Sequence, residues 1–316
     1  MTIPLGDGID PANDLARLRA AGYTDFWTAE TSRFDAFTPL ACAAREVTDA
    51  LLGTAIASVY ARGPAMLAMN AAAVADLAPG RFSVGIGASS PVLAEGWNAV
   101  AYERPWHRVR DTVRFLRQAF AGERVDGRFD TFSVSRFALD RPPAEAPPIL
   151  VAALRPGMLR LAAAEADGAI LNWLGAADVP TVRSVLGDEP VVAARIFVCA
   201  SEDTDVVRTA ARRLIAGYMT VPGYATYQRW LGRGDALAPL WQLWAEGDRK
   251  AAAASIPDGV VDALIVHGSA QHCADALHDY TRSGVDVPVV KLLPLDPTRD
   301  AMTDALALAA CYCSTA

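Results

Sequence analysis

Residues 51–90 constrain this chain most, because they read in one uninterrupted run as strand, loop, helix, turn and strand. Leu51-Leu52-Gly53-Thr54-Ala55-Ile56-Ala57 carries no charge and is mostly apolar, as suits a strand covered on both faces of a parallel sheet. Ser58-Val59-Tyr60-Ala61-Arg62-Gly63 is a polar loop, and Pro64 stands at a favourable first helical position. Met66, Leu67, Ala71, Val74 and Leu77 then recur at roughly helical spacing until Pro79-Gly80 stops the helix. Arg81-Phe82-Ser83-Val84-Gly85-Ile86-Gly87 is the next strand, ending in Ala88-Ser89-Ser90. A β-α-β unit is almost always a right-handed crossover between parallel strands, and a site is expected at the ends of those strands.

The same alternation extends along the chain. A helix over residues 11–21 stops at Gly22, a strand follows over 23–29, and Thr2-Ile3-Pro4-Leu5 is a truncated candidate for the first strand. Residues 91–104 read as a loop containing Trp97. The helix over 105–121 has Val109, Val113, Leu116 and Phe120 on its apolar face, with Arg108, Arg110, Arg114 and Arg117 as the solvated face. Strands over 149–152, 169–172, 191–199 and 287–292 alternate with helices, and Ser269 caps the helix that runs to Tyr280. Two stretches break the pattern. Residues 122–148 are rich in Gly, Pro and charge, with a short hairpin around 129–137; residues 218–256 are rich in aromatics at helical spacing. Seven or eight strand–helix units with two insertions favour a single-domain (β/α)8 TIM barrel over residues 1–316 rather than an open doubly wound sheet.

A net charge of −7 lacks the basic field that broad nucleic-acid or anionic-membrane binding needs. Cys42, Cys199, Cys273, Cys311 and Cys313 are odd in number and mostly scattered, which suits reduced thiols. The histidines and cysteines lack a standard zinc spacing, so no metal is expected. No leader or membrane span is indicated, and cytoplasmic residence is the expectation. There is no Gly-x-Gly-x-x-Gly opening a helix, no phosphate-binding Gly-Lys-Ser or Gly-Lys-Thr, and no Gly-x-Ser-x-Gly elbow. Hydride transfer by an organic cofactor asks little of the protein beyond shape, orientation and electrostatics, and so agrees with a chain poor in catalytic motifs.

Gly53-Thr54-Ala55-Ile56, Tyr60-Ala61-Arg62-Gly63-Pro64 and Gly80-Arg81-Phe82 through Gly87 together resemble the signature of the luciferase-like flavin and deazaflavin oxidoreductases. The coenzyme F420-dependent branch is the nearer match. The resemblance implies a non-prolyl cis peptide at Ala55-Ile56 backing the cofactor ring, with Ser58, Arg62, Gly87 and Ser89 around it. Gly87 also has a packing reading, as a glycine fitting a crowded strand end. Leu154-Arg155-Pro156-Gly157 opens a helix whose N–H groups form a phosphate seat; Leu154 and Arg155 replace the small residues usual in the family, and Arg155 adds a charge. Asn172 matches a position at the cofactor phosphate or pocket. Glu30 is the candidate for proton transfer or for ordering its loop, and Thr31 stands where several relatives have histidine. Trp97, Trp173, Tyr218 and Tyr224 are the candidate substrate-contacting aromatics. The implied activity is hydride transfer between F420 and a small organic substrate, in a homodimer. The alternatives are an FMN-dependent monooxygenase using O2 and a non-catalytic ligand-binding barrel.

Overall fold

The computed structural model describes residues 1–3 and 12–314. They form two compact units: residues 1–3, 12–153, 157–170 and 188–191 in the first, and 154–156, 171–187 and 192–314 in the second. In the first unit β1 (Asp25–Thr28), β2 (Leu51–Thr54), β3 (Ala57–Ser58) and β4 (Phe82–Gly87) precede a two-stranded antiparallel hairpin, β5 (Val125–Arg128) with β6 (Ser133–Phe137). A hairpin is expected here from the sequence over 129–137; β6 falls within that span, and β5 lies just before it. β7 (Ile149–Ala152) and the start of β8 (Gly168–Asn172) complete the sheet, in which β1, β2, β4, β7 and β8 are successive parallel neighbours. Thr2 bridges Trp27 in parallel, whereas Pro4 and Leu5 of the proposed first strand lie outside the described residues.

The second unit contains β9 (Val191–Cys199) from Val192 onward, flanked by β10 (Ile265–His267) and β11 (Val287–Leu292), both parallel to it. The strand β10 is too short to give a periodic signal and was not expected from the sequence. Residues 218–256 are helical, with helices Pro222–Trp230, Gly234–Ala245 and Arg249–Ala254. No helix among the described residues is long and apolar enough to cross a membrane.

Local chemistry sets these boundaries. Pro64 and Pro105 begin their helices where a missing N–H costs nothing. Gly80, at φ +69, supplies the left-handed turn between the helix Pro64–Leu77 and β4. Ser269 Oγ accepts from the His272 N–H at 3.2 Å, so the expected cap on the helix Ala270–Arg282 is present. Residues 91–104 are not wholly loop, because Val92–Trp97 forms a π-helical turn.

Where β2 gives way to β3, the strand slips against β4. Gly53 pairs with Ser83, but Ala57 pairs with Ile86, so Thr54, Ala55 and Ile56 stand opposite only Val84 and Gly85. The bulge would leave the N–H and C=O of Gly85 without ladder partners. The buried Thr54 hydroxyl serves both, accepting from Gly85 N at 2.8 Å and donating to Gly85 O at 2.8 Å. A Cβ on Gly85 would run into the Thr54 carbonyl and Ile170, so only glycine fits. Replacing Thr54 by valine should lower the unfolding free energy by about 2–5 kcal/mol, because two buried polar groups lose their partner. Thr54→Ser keeps both bonds and should cost only about 1 kcal/mol for the lost methyl. Urea unfolding of the two variants checks the difference.

Candidate active site

The bulge delivers the chain into a loop whose order is electrostatic. The Ala55-Ile56 peptide is cis, as the family resemblance implies. Ile56 O accepts from the Glu30 N–H at 3.2 Å, which ties the bulge to the chain after β1. One Glu30 carboxylate oxygen accepts from the Ser58 N–H at 2.8 Å, and the other is ion-paired with Arg62. Arg62 also reaches Asp35 at 3.4 Å and lies over the Phe37 ring. Burial lowers the Arg62 pKa. These are the contacts of a carboxylate that orders a loop. Thr31 is exposed, and its Oγ1 accepts from Arg33 N–H in the local turn. Ser58 is fully buried, and its hydroxyl accepts from the N–H groups of Tyr60 and Ala61.

Arg108 is not part of a solvated face. Its guanidinium lies over the Tyr60 and Phe132 rings and donates to Val59 O and Thr131 O. A long side chain can reach back over apolar neighbours in this way, which helical periodicity does not register. The Tyr60 hydroxyl, pushed up to about 12 chiefly by burial, donates to Glu103 O at 2.6 Å.

At the end of β4, Gly87 is buried, and a Cβ there would lie 2.8 Å from Ala152 Cβ and 3.2 Å from Ile56 Cδ1. Packing alone accounts for that glycine. Ser89 follows, exposed and at φ 58. After β7, Leu154 is part-buried and Arg155 is exposed, and Pro156 opens the helix Pro156–Glu165. Nothing stands within 4 Å of a Cβ on Gly157, whose carbonyl accepts from Trp106 Nε1 at 3.0 Å. Trp97 is 56% exposed at the end of its π-helical turn.

The second unit carries the aromatic cluster. Trp173 follows β8 at φ 56, an uncommon conformation for so bulky a residue, and is completely buried. Its ring lies 4.2 Å from Phe197 and 4.8 Å from Tyr218, while Tyr224 meets Tyr218 edge-on. Asn172 Nδ2 donates to the Tyr224 hydroxyl at 3.2 Å, but among the described residues the buried Asn172 Oδ1 and Trp173 Nε1 have no partner. The expected substrate residues Trp173, Tyr218 and Tyr224 therefore come together with Asn172.

A sequence model of the luciferase-like monooxygenase family matches residues 6–287. The chain belongs to that family. A Mycobacterium tuberculosis protein provisionally named a coenzyme F420-dependent oxidoreductase is 26% identical, over 93% of this chain and 94% of the relative. The 5,10-methylenetetrahydromethanopterin reductase of Archaeoglobus fulgidus is 25% identical over 78% of each. Among solved structures, an F420-dependent secondary alcohol dehydrogenase in complex with an F420-acetone adduct superposes with a TM-score of 0.77, covering 98% of this chain and 95% of that one at 13% identity. The fold is thus the luciferase-like TIM barrel, as the repeated strand–helix units indicate.

The residues of this luciferase-like chain fit a planar cofactor with an anionic tail. A flat ring needs a backbone wall with small or part-exposed side chains, and Ala55 and Ile56 are both part-exposed. An anionic tail needs unclaimed donors at a helix start, and the exposed Arg155 and open Gly157 stand there. Two residues escaped the sequence reading, Arg195 and Lys291, part-buried cations within β9 and β11. The signal was a single cation in each otherwise apolar strand. For the loop, Arg62→Met should cost about 3 kcal/mol of stability, since it leaves the largely buried Glu30 uncompensated, and Glu30→Gln should cost less, since Arg62 keeps Asp35. The double substitution should cost less than their sum by about 1–3 kcal/mol, read from urea unfolding of the four proteins.

Proposed function

We propose that this chain is a cytoplasmic F420-dependent oxidoreductase that moves a hydride between the deazaflavin and a small organic substrate. The observation that carries the reading is the match to a relative named for F420-dependent oxidoreduction over nearly the whole length of both chains. The donor set at Leu154-Arg155-Pro156-Gly157 supports it, because an exposed guanidinium beside a helix N-terminus suits a phosphate. Bound F420 would supply the two-electron hydride chemistry.

The protein's part is to bind, orient and exclude water. Ala55 and Ile56 form a wall for one ring face, with Gly87 packed behind Ile56. Ser89, Leu154, Arg155, Pro156, Gly157 and Asn172 hold the polar tail. Glu30, through the Ser58 N–H and Arg62, keeps the loop behind that wall in place, with Thr31 beside it in the turn. Trp173, Tyr218 and Tyr224 are the aromatic wall for the substrate, and Trp97 contributes from the surface. By the family resemblance the working unit is a homodimer.

A second reading, an FMN-dependent monooxygenase using O2, is favoured by the name of the matching family. Titration with F420 and, separately, with FMN, followed by tryptophan fluorescence, decides between them. Tight F420 and weak FMN binding is expected; the reverse supports the monooxygenase, and binding of neither supports a non-catalytic barrel. Arg155→Met should weaken F420 binding about tenfold through the lost charge-assisted contact.

A further inference from the structure

The second unit pairs several of its cations with carboxylates. Arg183 meets Asp286, Arg208 meets Asp262, Arg212 meets Asp258, Arg233 meets Asp178 and Arg299 meets Asp304. Arg195 and Lys291 are different: among the described residues neither makes an ion pair or a hydrogen bond with a carboxylate. Both sit inside strands, where a lone charge is costly unless something neutralises it.

The register brings them to one place. Arg195 pairs with Val289 and Phe197 with Lys291 in the parallel β9–β11 ladder, so all four side chains leave the same face of the sheet. The Arg195 guanidinium lies 5.3 Å from the centre of the Phe197 ring, whose other neighbour is Trp173. Tyr218 and Tyr224 are further electrostatic neighbours of Arg195, and they are phenols rather than carboxylates. Burial lowers the pKa of Arg195, and burial together with the nearby Arg195 lowers that of Lys291. Two like charges therefore face one another in a partly dehydrated aromatic setting.

Two cations and an aromatic wall of Trp173, Phe197 and Tyr218 are complementary to an organic anion. We propose that the substrate carries a carboxylate, and that Arg195 and Lys291 receive it against this wall. The proposal rests on the oxidoreductase reading above and narrows its substrate class. The carboxylate would supply the counter-charge that the protein withholds, and neutral analogues would be rejected because they leave both cations buried and uncompensated. The cofactor's own acidic tail is the competing occupant, and the test separates the two.

The probes are three isosteric pairs, acetate with acetamide, benzoate with benzamide and succinate with succinamide. Each is titrated calorimetrically into the wild-type protein, Arg195→Met and Lys291→Met, with and without saturating F420. At least one carboxylate should bind the wild type about tenfold or more tighter than its amide, as expected when a charge-assisted contact is gained. Each methionine variant should lose that discrimination while binding F420 within about threefold of the wild type, since affinity changes that small are under 1 kcal/mol. A readout without any ligand accompanies these: both unliganded variants should melt about 2 °C or more above the wild type, because an unpaired buried charge has been removed. The proposal is overturned if no carboxylate is preferred to its amide, if F420 displaces the carboxylate, or if the variants melt below the wild type. Failure of the F420 reading is seen separately, as absence of F420 binding while the carboxylate and melting arms still report on the cations.

Discussion

The Thr54 hydroxyl takes the place of a missing piece of sheet. The slip between β2 and β4 leaves one residue unmatched, and both main-chain groups of Gly85 would be buried without partners. A single side-chain oxygen that donates once and accepts once restores both bonds, and the absent side chain of Gly85 lets the two strands come close enough for it. The bulge can then turn the chain at Ala55 and Ile56 without opening the sheet beside it. Everything downstream depends on that turn: the Ile56 carbonyl that meets Glu30, the Ser58 amide that Glu30 holds, and the Arg62 guanidinium that completes the group. The small residues of the motif follow from steric necessity in the strand pair before any ligand is considered.

Much of this was legible in the sequence because local chemistry and long-range packing agree there. Pro64, Pro79-Gly80 and the uncharged run of residues 51–57 each mark a boundary that the sheet then uses. The hairpin of β5 and β6 and the helical aromatic insertion were legible for the same reason, as breaks in an otherwise regular alternation. What escaped depends on reach or on brevity. Arg108 lies at a polar position of its helix, yet its side chain is long enough to cover Tyr60 and Phe132. The three residues of β10 follow a helix directly, with no room for a period to show. Glu30 was visible as a strand-end carboxylate, but its partners come from residues 58 and 62, and only the fold brings them to it. The left-handed backbone at Trp173 has no sequence signal either, since bulky aromatics rarely adopt it.

The distribution of charge separates two tasks within one chain. In the loop after β3, Arg62 is matched by Glu30 and Asp35, so its charge is satisfied within the protein and serves to fix a conformation. In the second unit, Arg233 is likewise matched by the largely buried Asp178. Among the described residues Arg195 and Lys291 have no such match although their strands could accommodate one. Val289 stands directly opposite Arg195 in the ladder, where an acidic residue would have had its partner in reach. Stability alone favours an apolar residue at both cationic positions, since a desolvated, unpaired charge opposes folding. A chain that keeps two such charges on one face, beside an aromatic wall, has the electrostatic form of a site whose missing component is negative. The redox chemistry proposed for this family member does not require those cations, because an organic cofactor carries the hydride. Their place in the reasoning is therefore recognition: they distinguish among substrates that the cofactor itself could not tell apart.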